Sequence, residues 1–149
     1  MKLGWIALAG PTPWQSSARE RLELIADTYL SVGTPVQHAL PRLLELGASV
    51  REQIAARVRE NFAFLQSAVN GTACRVLDVE GGWYAILEVP RTRSEEEWCA
   101  ELLDRDGVLV QPGFFYDFAS EAFLVVSLLP PEETFRKGIG RLLGCVGAI

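Results

Sequence analysis

Few side chains in this sequence could do covalent chemistry. Lysine occurs only at Lys2 and Lys137, and histidine occurs only at His38. A reaction that needs a lysine nucleophile must therefore use one of these two lysines or a residue outside this chain. His38 lies in "TPVQHALP" without a neighbouring acid or nucleophile, which is more typical of a structural histidine than of a catalytic one. Lys2 precedes an apolar run, where its charge can project beyond a sheet edge or simply be solvated.

The three cysteines also point away from a reactive site. Cys74, Cys99 and Cys145 are widely spaced, and each is set among apolar residues. This pattern predicts buried free thiols in a reducing compartment. One histidine and no cysteine pair at ligand spacing make a metal site a poor interpretation, so we expect none.

Composition limits the function classes further. The chain has 149 residues, 49% of them hydrophobic, with 19 acidic against 14 basic residues and no basic run. Such a chain can form a real core, but it is a poor match for binding nucleic acid through phosphates. The opening run "MKLGWIALAG" is too short to span a bilayer and lacks the features of a signal peptide. We therefore expect a cytoplasmic protein that binds neither nucleic acid nor membrane.

Two turns have residues that could line a binding pocket. In "VQPGFFYDF", a Pro-Gly turn leaves a strand and is followed by Phe114, Phe115 and Tyr116, with Asp117 placed to fix the loop. In "EGGWYAI", Gly82 could allow a ligand to approach the backbone closely. Both turns have an equally simple structural interpretation. The aromatic residues of the first turn could cover a core, and the glycines of the second could simply form a hairpin. No serine elbow, phosphate-binding loop, dinucleotide fingerprint or pair of catalytic carboxylates is present.

The elements at the start of the chain form a strand, a turn and a helix. The apolar run from Gly4 to Ala9 predicts a strand, "GPTPWQSS" is a cluster of helix breakers, and "ARERLELIADTYLS" has the apolar spacing of a helix. The following "VGTPVQHALPRLLELG" contains Pro35 and Pro41. These prolines predict a loop and a short or kinked helix that ends at Gly47.

A long helix is predicted next. Ser49 and Glu52 have the spacing of a capping box, in which each side chain satisfies a free backbone amide of the other residue. The apolar residues that follow recur with helical spacing, and the pattern stops at "NG". They are Val50, Ile54, Val58, Phe62, Leu65 and Val69.

The remaining sequence alternates strands and helices. "CRVLDVEGGWYAILEV" predicts a hairpin that turns at Gly81 and Gly82. A second capping box, Ser94 with Glu97, opens a helix that stops at Gly107. "VLVQ" and "AFLVVSLL" predict two strands before a last amphipathic helix.

From about residue 73 the predicted order is β-β-α-β-β-α after the long helix. This order predicts an α+β domain, a sheet covered by helices. We interpret the chain as three parts. Residues 1–31 are a strand and a helix from a different sheet, residues 32–48 are a connection, and residues 49–149 are an independent small domain.

Five segments occur along nearly the whole chain in a particular order. They are "MKLGWI", "ERLELIADTYLSVGTPVQHAL", "GGWYAILEVP", "VLVQPGFFYDF" and "SLLPPEETFRKGIGRLL". Together they resemble the C-terminal portion of the class I and II aminotransferases, which have fold type I and depend on pyridoxal phosphate. The resemblance implies the small domain of that fold, preceded by a piece of the large cofactor-binding domain.

The resemblance also implies roles for the cofactor. In the family, a Ser-x-x-Lys segment supplies the lysine that forms a Schiff base with pyridoxal phosphate, and a basic residue follows shortly after it. Here that basic residue is Lys2, so the Schiff-base lysine is expected upstream of Met1 and no catalytic residue lies in this chain. Lys2 would bind the cofactor phosphate, where the family usually has arginine.

A substrate pocket is implied as well. Gly33 and Thr34 correspond to a loop that approaches the active site of the neighbouring subunit, which implies a homodimer. Gly113 and Phe115, in the aromatic turn, complete the implied pocket for the amino-acid or 2-oxo-acid substrate.

One position departs from the family pattern. The strand before the final helix commonly has an arginine that binds the α-carboxylate of the substrate, and Val125 takes that place here. A buried carboxylate without a cation is costly. Either another group binds the carboxylate, or the amino donor is unusual.

Three functions remain in competition from the sequence alone. The first is the C-terminal portion of an aminotransferase that moves an amino group between an amino acid and a 2-oxo acid, with this chain alone inactive and without cofactor. The second is the aminotransferase-like effector domain of a transcription regulator that senses pyridoxal phosphate without turnover. The third is a free-standing interaction module. For the chain by itself we also expect exposed apolar residues at Leu3, Trp5, Ile6 and Leu8, and self-association through them.

Overall fold

The computed structural model describes residues 3–147, so Lys2 lies outside the described residues. The chain divides into two compact units, Met1–Val50 and Arg51–Ile149. We call them the N-terminal unit and the C-terminal unit, and each is described by itself.

The predicted strand at the start of the N-terminal unit is wrong. Residues 3–9 have no regular secondary structure. A strand is stable only when a neighbour satisfies its backbone amides and carbonyls, and no described residue pairs with this run. The predicted exposure of its apolar side chains is confirmed for Trp5, Ile6 and Leu8, which are 67%, 70% and 38% exposed.

Helix α1 (Thr12–Ala26) begins inside the cluster that was expected to be a turn. Pro11 precedes the helix and Pro13 lies in its first turn. Proline is tolerated there because the first amides of a helix have no partner within the helix anyway. The prolines therefore start this helix rather than break it.

Helix α2 (Thr34–Ala68) is one continuous helix of 35 residues. The predicted short helix ending at Gly47 and separate helix starting at Ser49 are therefore wrong, and the predicted loop is limited to residues before Thr34. Pro35 lies in the first turn, where proline is acceptable, and Pro41 lies inside the helix. Ser49 lies inside α2 as well, so its capping box with Glu52 is not formed.

The C-terminal unit has the predicted order of elements. Strands β1 (Arg75–Val76) and β2 (Tyr84–Glu88) precede α3 (Glu95–Asp106), and β3 (Gln111–Pro112) and β4 (Phe123–Ser127) precede α4 (Glu132–Gly147). A 3₁₀ turn, Gly113–Tyr116, directly follows β3. The four strands form an antiparallel sheet in the order β1-β2-β4-β3. The predicted α+β fold with a helix-covered sheet is confirmed.

One face of the sheet packs against the helices. Alternate residues of β2 and β4 point to this face, since side chains alternate along a strand. The buried core combines them with residues of α2, α3 and α4, including Leu65, Ala85, Leu87, Trp98, Leu102, Leu124, Val126, Leu128, Phe135, Ile139 and Leu142. Packing against the helices fixes the sheet, and with it the positions of the side chains on its other face.

Both ends of α3 are as predicted. The Ser94 hydroxyl accepts a hydrogen bond from the Glu97 amide at 3.2 Å, and the Glu97 carboxylate accepts one from the Ser94 amide at 2.8 Å. The Ser94 amide and hydroxyl both donate to the Glu97 carboxylate, and these two bonds lower the pKa of Glu97. Gly107 ends the helix with φ of 63°, in the left-handed region that glycine adopts without strain.

Candidate functional site

The sheet face opposite the helices has a different composition from the core. We call it the open face. The strand register places eight side chains on it, because directly opposed residues in an antiparallel pair point the same way. Tyr84 faces Ser127, Ile86 and Gln111 face Val125, Glu88 faces Phe123, and Arg75 faces Glu88.

The side chain of Tyr116 lies across strand β4 on this face. The ring of Tyr116, from the 3₁₀ turn, lies 6.2 Å from the ring of Tyr84 on β2. The Tyr116 hydroxyl donates to the Gln111 side-chain oxygen on β3. Strands β2 and β3 flank β4 on either side, so Tyr116 spans β4 above the stretch that contains Val125.

Val125 is buried on this face. It is 4% exposed, although it is absent from the core cluster on the helical side. Around Val125, the open face therefore combines an apolar side chain with polar but uncharged neighbours, two phenols and one amide. Partial desolvation and the nearby Tyr84 hydroxyl raise the pKa of Tyr116, so its hydroxyl stays protonated at neutral pH.

One cation lies on the described part of the open face, at the far edge of the sheet. Arg75 on β1 directly opposes Glu88 on β2, and their side chains form an ion pair at 2.7 Å. The positive charge of Arg75 is therefore compensated locally. None of the residues placed around Val125 supplies another cation.

A buried carboxylate fixes the turn that carries Tyr116. Glu95 is 2% exposed, and its two oxygens accept hydrogen bonds from the Phe114 amide at 2.9 Å and the Phe123 amide at 2.8 Å. Glu95 lies in the first turn of α3, where the helix dipole also favours a negative charge. Glu95 cannot be recognised from the sequence, because nothing in "SEEEW" distinguishes it from its exposed neighbours.

The same turn requires glycine at its first residue. A side-chain carbon added to Gly113 would lie 2.8 Å from the Phe123 Cβ and 2.9 Å from a Glu95 oxygen. Both distances are shorter than van der Waals contact, so Gly113 allows the turn and the carboxylate to pack together. Gly113 therefore has a structural role next to the open face.

The predicted pocket residues fall in two different units. Gly33 and Thr34 lie at the start of α2 in the N-terminal unit, and both are exposed. Gly113 is buried in the C-terminal unit, whereas Phe115 is 67% exposed beside Phe114. Their common role in substrate binding stays a prediction.

The thiols are free, as expected, but one of them is not fully buried. Cys74 and Cys145 are buried, whereas Cys99 is partly exposed. Desolvation, with the nearby Glu95 and Glu96 charges, raises the pKa of Cys99 to about 11. A thiol with so high a pKa is a poor nucleophile at neutral pH.

A cavity of about 290 Å³ lies between α4 and residues 107–110 and contains none of the predicted site residues. Within residues 3–147, no group of three acidic, histidine or cysteine side chains is placed to hold a metal ion. None of the helices that these residues form combines the length and apolar character needed to span a bilayer.

Pyridoxal phosphate does not fit the described residues alone. Its phosphate needs cations or free amides, but the open face offers a single arginine already paired with Glu88. Its aldehyde needs a lysine, but Lys137 is ion-paired with Glu133 at 2.7 Å on α4. A site for this cofactor therefore requires residues beyond those described.

Known aminotransferases are similar to the chain in sequence. LL-diaminopimelate aminotransferase from Dehalococcoides mccartyi is 34% identical over 80 residues, which are 54% of this chain and 21% of the relative. The 4-dedimethylamino-4-oxo-anhydrotetracycline transaminase OxyQ from Streptomyces rimosus is 33% identical over 117 residues, 75% of this chain and 30% of the relative. The chain thus spans less than a third of the length of these relatives. No protein-family model matches it.

Solved structures agree with the sequence matches. Aspartate aminotransferase from Thermotoga maritima superimposes with a TM-score of 0.72 at 19% identity, over 89% of this chain and 34% of that one. Alanine aminotransferase from Pyrococcus furiosus superimposes with a TM-score of 0.72 at 18% identity, over 90% of this chain and 35% of that one. The chain has an aminotransferase fold, and its resemblance to the C-terminal portion of the class I and II enzymes is confirmed.

Proposed function

We propose that this chain is the C-terminal portion of a pyridoxal-phosphate-dependent aminotransferase and forms one wall of its substrate site. The observation that carries the proposal is the combination of aminotransferase similarity over most of the chain with a sheet face on which the aromatic side chains of Tyr84 and Tyr116 are exposed. The whole enzyme would transfer an amino group between an amino compound and an oxo compound, of which amino acids and 2-oxo acids are the simplest.

The chain's own residues would bind and shape the substrate site. Pyridoxal phosphate supplies the electron sink for amino transfer when it is bound. Lys2 would hold its phosphate, and the lysine that reacts with it would lie upstream of Met1. Glu95 and Gly113 would hold the aromatic turn, so that Tyr116 presents its ring and hydroxyl to the substrate.

Two further parts of the proposal concern assembly and compartment. Gly33 and Thr34 would reach the site of a neighbouring subunit in a homodimer, and the enzyme would be cytoplasmic. The division into residues 1–31, 32–48 and 49–149 as large-domain piece, connection and small domain belongs to the same proposal.

A cofactor titration tests the proposal. The purified chain is expected to bind pyridoxal phosphate weakly or not at all and to show no transamination, because none of the described residues on the open face is a lysine. The polypeptide that includes the upstream lysine is expected to bind the cofactor and give its visible absorbance. Robust turnover by the 149-residue chain alone would contradict the proposal.

The same titration addresses a second candidate, a regulator's effector domain. The observation that favours it is the neutral, buried Val125 at the position where the family has a carboxylate-binding arginine. A regulator would bind pyridoxal phosphate in its complete form without turning over any amino donor, and would show a basic helix-turn-helix in its upstream sequence.

A further inference from the structure

We propose that the open face binds the neutral aromatic part of a substrate that has no carboxylate, an aryl ketone or the 1-arylalkylamine formed from it by amino transfer. This inference rests on the proposed function, since it names the substrate class of the same site. Three observations carry it: the aromatic surface, the uncharged hydrogen-bonding groups, and the local charge balance.

The aromatic surface is exposed and continuous. Trp83, Tyr84 and Tyr116 are 50%, 42% and 42% exposed, although large aromatic residues are usually buried. Their rings form a connected series, since Trp83 lies 6.4 Å from Tyr84 and Tyr84 lies 6.2 Å from Tyr116. A planar aromatic ligand gains both buried apolar area and ring contacts on such a surface.

The hydrogen-bonding groups next to these rings are neutral. The Tyr116 hydroxyl and the Gln111 amide are already in contact above β4. The NH₂ of Gln111 can donate to a carbonyl, and the Tyr84 hydroxyl can donate or accept. A ketone oxygen or a phenolic hydroxyl therefore finds a partner here without a charged residue.

The charge balance disfavours an anion. A carboxylate on the open face would lose hydration and find no free cation among the residues placed there, because Arg75 is paired with Glu88. The net charge of the chain is -5, which adds to the repulsion of a negative ligand. Val125, buried on the same face, carries no charge that could offset that of an anion.

The surface is also fixed in advance. Glu95 holds the turn through two backbone amides, and Gly113 lets that turn pack closely. A preorganised surface loses less conformational entropy when a ligand binds. The position of Tyr116 is therefore a property of the fold and not of the ligand.

The first test is a titration of the 149-residue chain, followed by NMR, with acetophenone and with benzoate, which share a ring and differ in charge. Acetophenone is expected to shift the signals of Tyr84, Gln111 and Tyr116 in a saturable way, with an affinity about tenfold above that of benzoate. Equal or tighter binding of benzoate, or shifts confined to other surfaces, would overturn the inference.

Three variants sharpen this test. Tyr116→Ala is expected to abolish the shifts, and Tyr116→Phe, which keeps the ring, to weaken binding only partly. Gln111→Arg adds a cation at an exposed position and is expected to reverse the preference toward benzoate. Leu103→Ala, at an exposed position of α3, is the matched control and is expected to bind as the unchanged chain does. If Gln111→Arg leaves the preference unchanged, the charge argument is wrong.

The second test uses the complete, cofactor-loaded protein and separates this inference from the proposed function. Each donor is added without an acceptor, and the change in cofactor absorbance gives the rate of the half-reaction. 1-Phenylethylamine is expected to react faster than phenylglycine, which differs by a carboxylate in place of a methyl group. Reaction with phenylglycine or ordinary amino acids alone would overturn the inference and keep the proposed function. No reaction with any donor would overturn the proposed function itself.

Discussion

At the scale of single residues, the candidate site depends on buried polar side chains that hold backbone segments in place. Glu95 is the clearest example, because one carboxylate satisfies two backbone amides from separate segments, at Phe114 and Phe123. Asn61 acts similarly within α2. It is fully buried, and its amide donates to the carbonyl oxygens of Leu128 and Pro130, both at 2.9 Å. These two residues join the helical layer to both ends of β4.

Replacing Glu95 with alanine is expected to lower the free energy of unfolding by about 3 kcal/mol. The change leaves two amides without their charged acceptor, and each such loss costs roughly 1.5 to 3 kcal/mol before relaxation. Urea unfolding followed by the fluorescence of the buried Trp98 would measure it. Glu96→Ala, at the exposed neighbouring position, is the control and should change stability little. Equal effects of both variants would show that the two hydrogen bonds accepted by Glu95 do not stabilise the fold.

Replacing Gly113 with alanine is expected to destabilise the C-terminal unit by about 1 to 3 kcal/mol, the usual cost of overpacking. The added methyl group would collide with Phe123 and Glu95. The same urea measurement applies, with Gly138→Ala as the control because open space surrounds that position. A Gly113→Ala variant as stable as the unchanged chain would mean that the turn has room for a side chain at this position.

The thiol of Cys99 is expected to resist alkylation at neutral pH. Its pKa is raised from 9.0 to about 11, so its rate of reaction with iodoacetamide should keep rising beyond pH 9.0. The native state retains this proton between the two values while the unfolded state loses it, so the free energy of unfolding should fall as the pH rises through that interval. Peptide mapping by mass spectrometry separates Cys99 from the other thiols. A rate that levels off near pH 9.0 would contradict the assignment.

At the scale of elements, the C-terminal unit was predictable and the N-terminal unit was not. The hairpin, the capped helix α3, β4 and the amphipathic α4 followed from local signals, such as the Ser94–Glu97 box, that agree with the packing. The errors in the first 50 residues came from treating proline and Ser49 as boundaries. Pro13 and Pro35 lie in first turns, and Pro41 is simply tolerated inside α2.

The candidate site was only partly accessible to sequence reasoning. "VQPGFFYDF" indicated an aromatic turn, which the structure has at Gly113–Tyr116, whereas the roles of this turn and of Val125 in substrate binding stay predictions. The contact of Tyr116 with both flanking strands depends on the register of three strands, which no local pattern encodes. Glu95 and Asn61 were missed for the same reason, since their partners lie 19 to 69 residues away.

Replacing Pro41 with alanine is expected to stabilise α2 by about 1 to 3 kcal/mol, because it restores a helical hydrogen bond and relieves a clash with the preceding turn. Amide hydrogen exchange of residues 37–45 would detect the effect as slower exchange. Pro35→Ala is the matched control, because its proline lies in the first turn, and it should have little effect. Faster exchange in Pro41→Ala would mean that the segment is not helical.

At the scale of the whole molecule, the two units differ in how much they bury. The C-terminal unit holds every buried residue of the described chain, whereas none of residues 3–50 is buried. Large apolar side chains such as Trp14, Tyr29 and Leu30 are 77%, 74% and 102% exposed. Exposed apolar surface of this kind marks an interface that another chain or segment covers.

The purified chain is therefore expected to self-associate through its N-terminal unit. Sedimentation velocity should show a sedimentation coefficient that rises with concentration, and a Trp5→Ser, Ile6→Ser double variant should shift the population toward monomer. Leu109→Ser, which removes an exposed leucine from the C-terminal unit, is the control. A strictly monomeric chain at all concentrations would contradict this prediction.

The central claim is that this chain forms part of an aminotransferase whose substrate contacts the open face. The most direct measurement is amino-group transfer by the complete, cofactor-loaded protein with Tyr116 intact and with Tyr116→Ala. We predict transfer by the unchanged protein and, in the variant, a higher KM for the aromatic donor with cofactor binding retained. Cofactor binding without transfer from any donor, or transfer that is indifferent to Tyr116, would contradict the account.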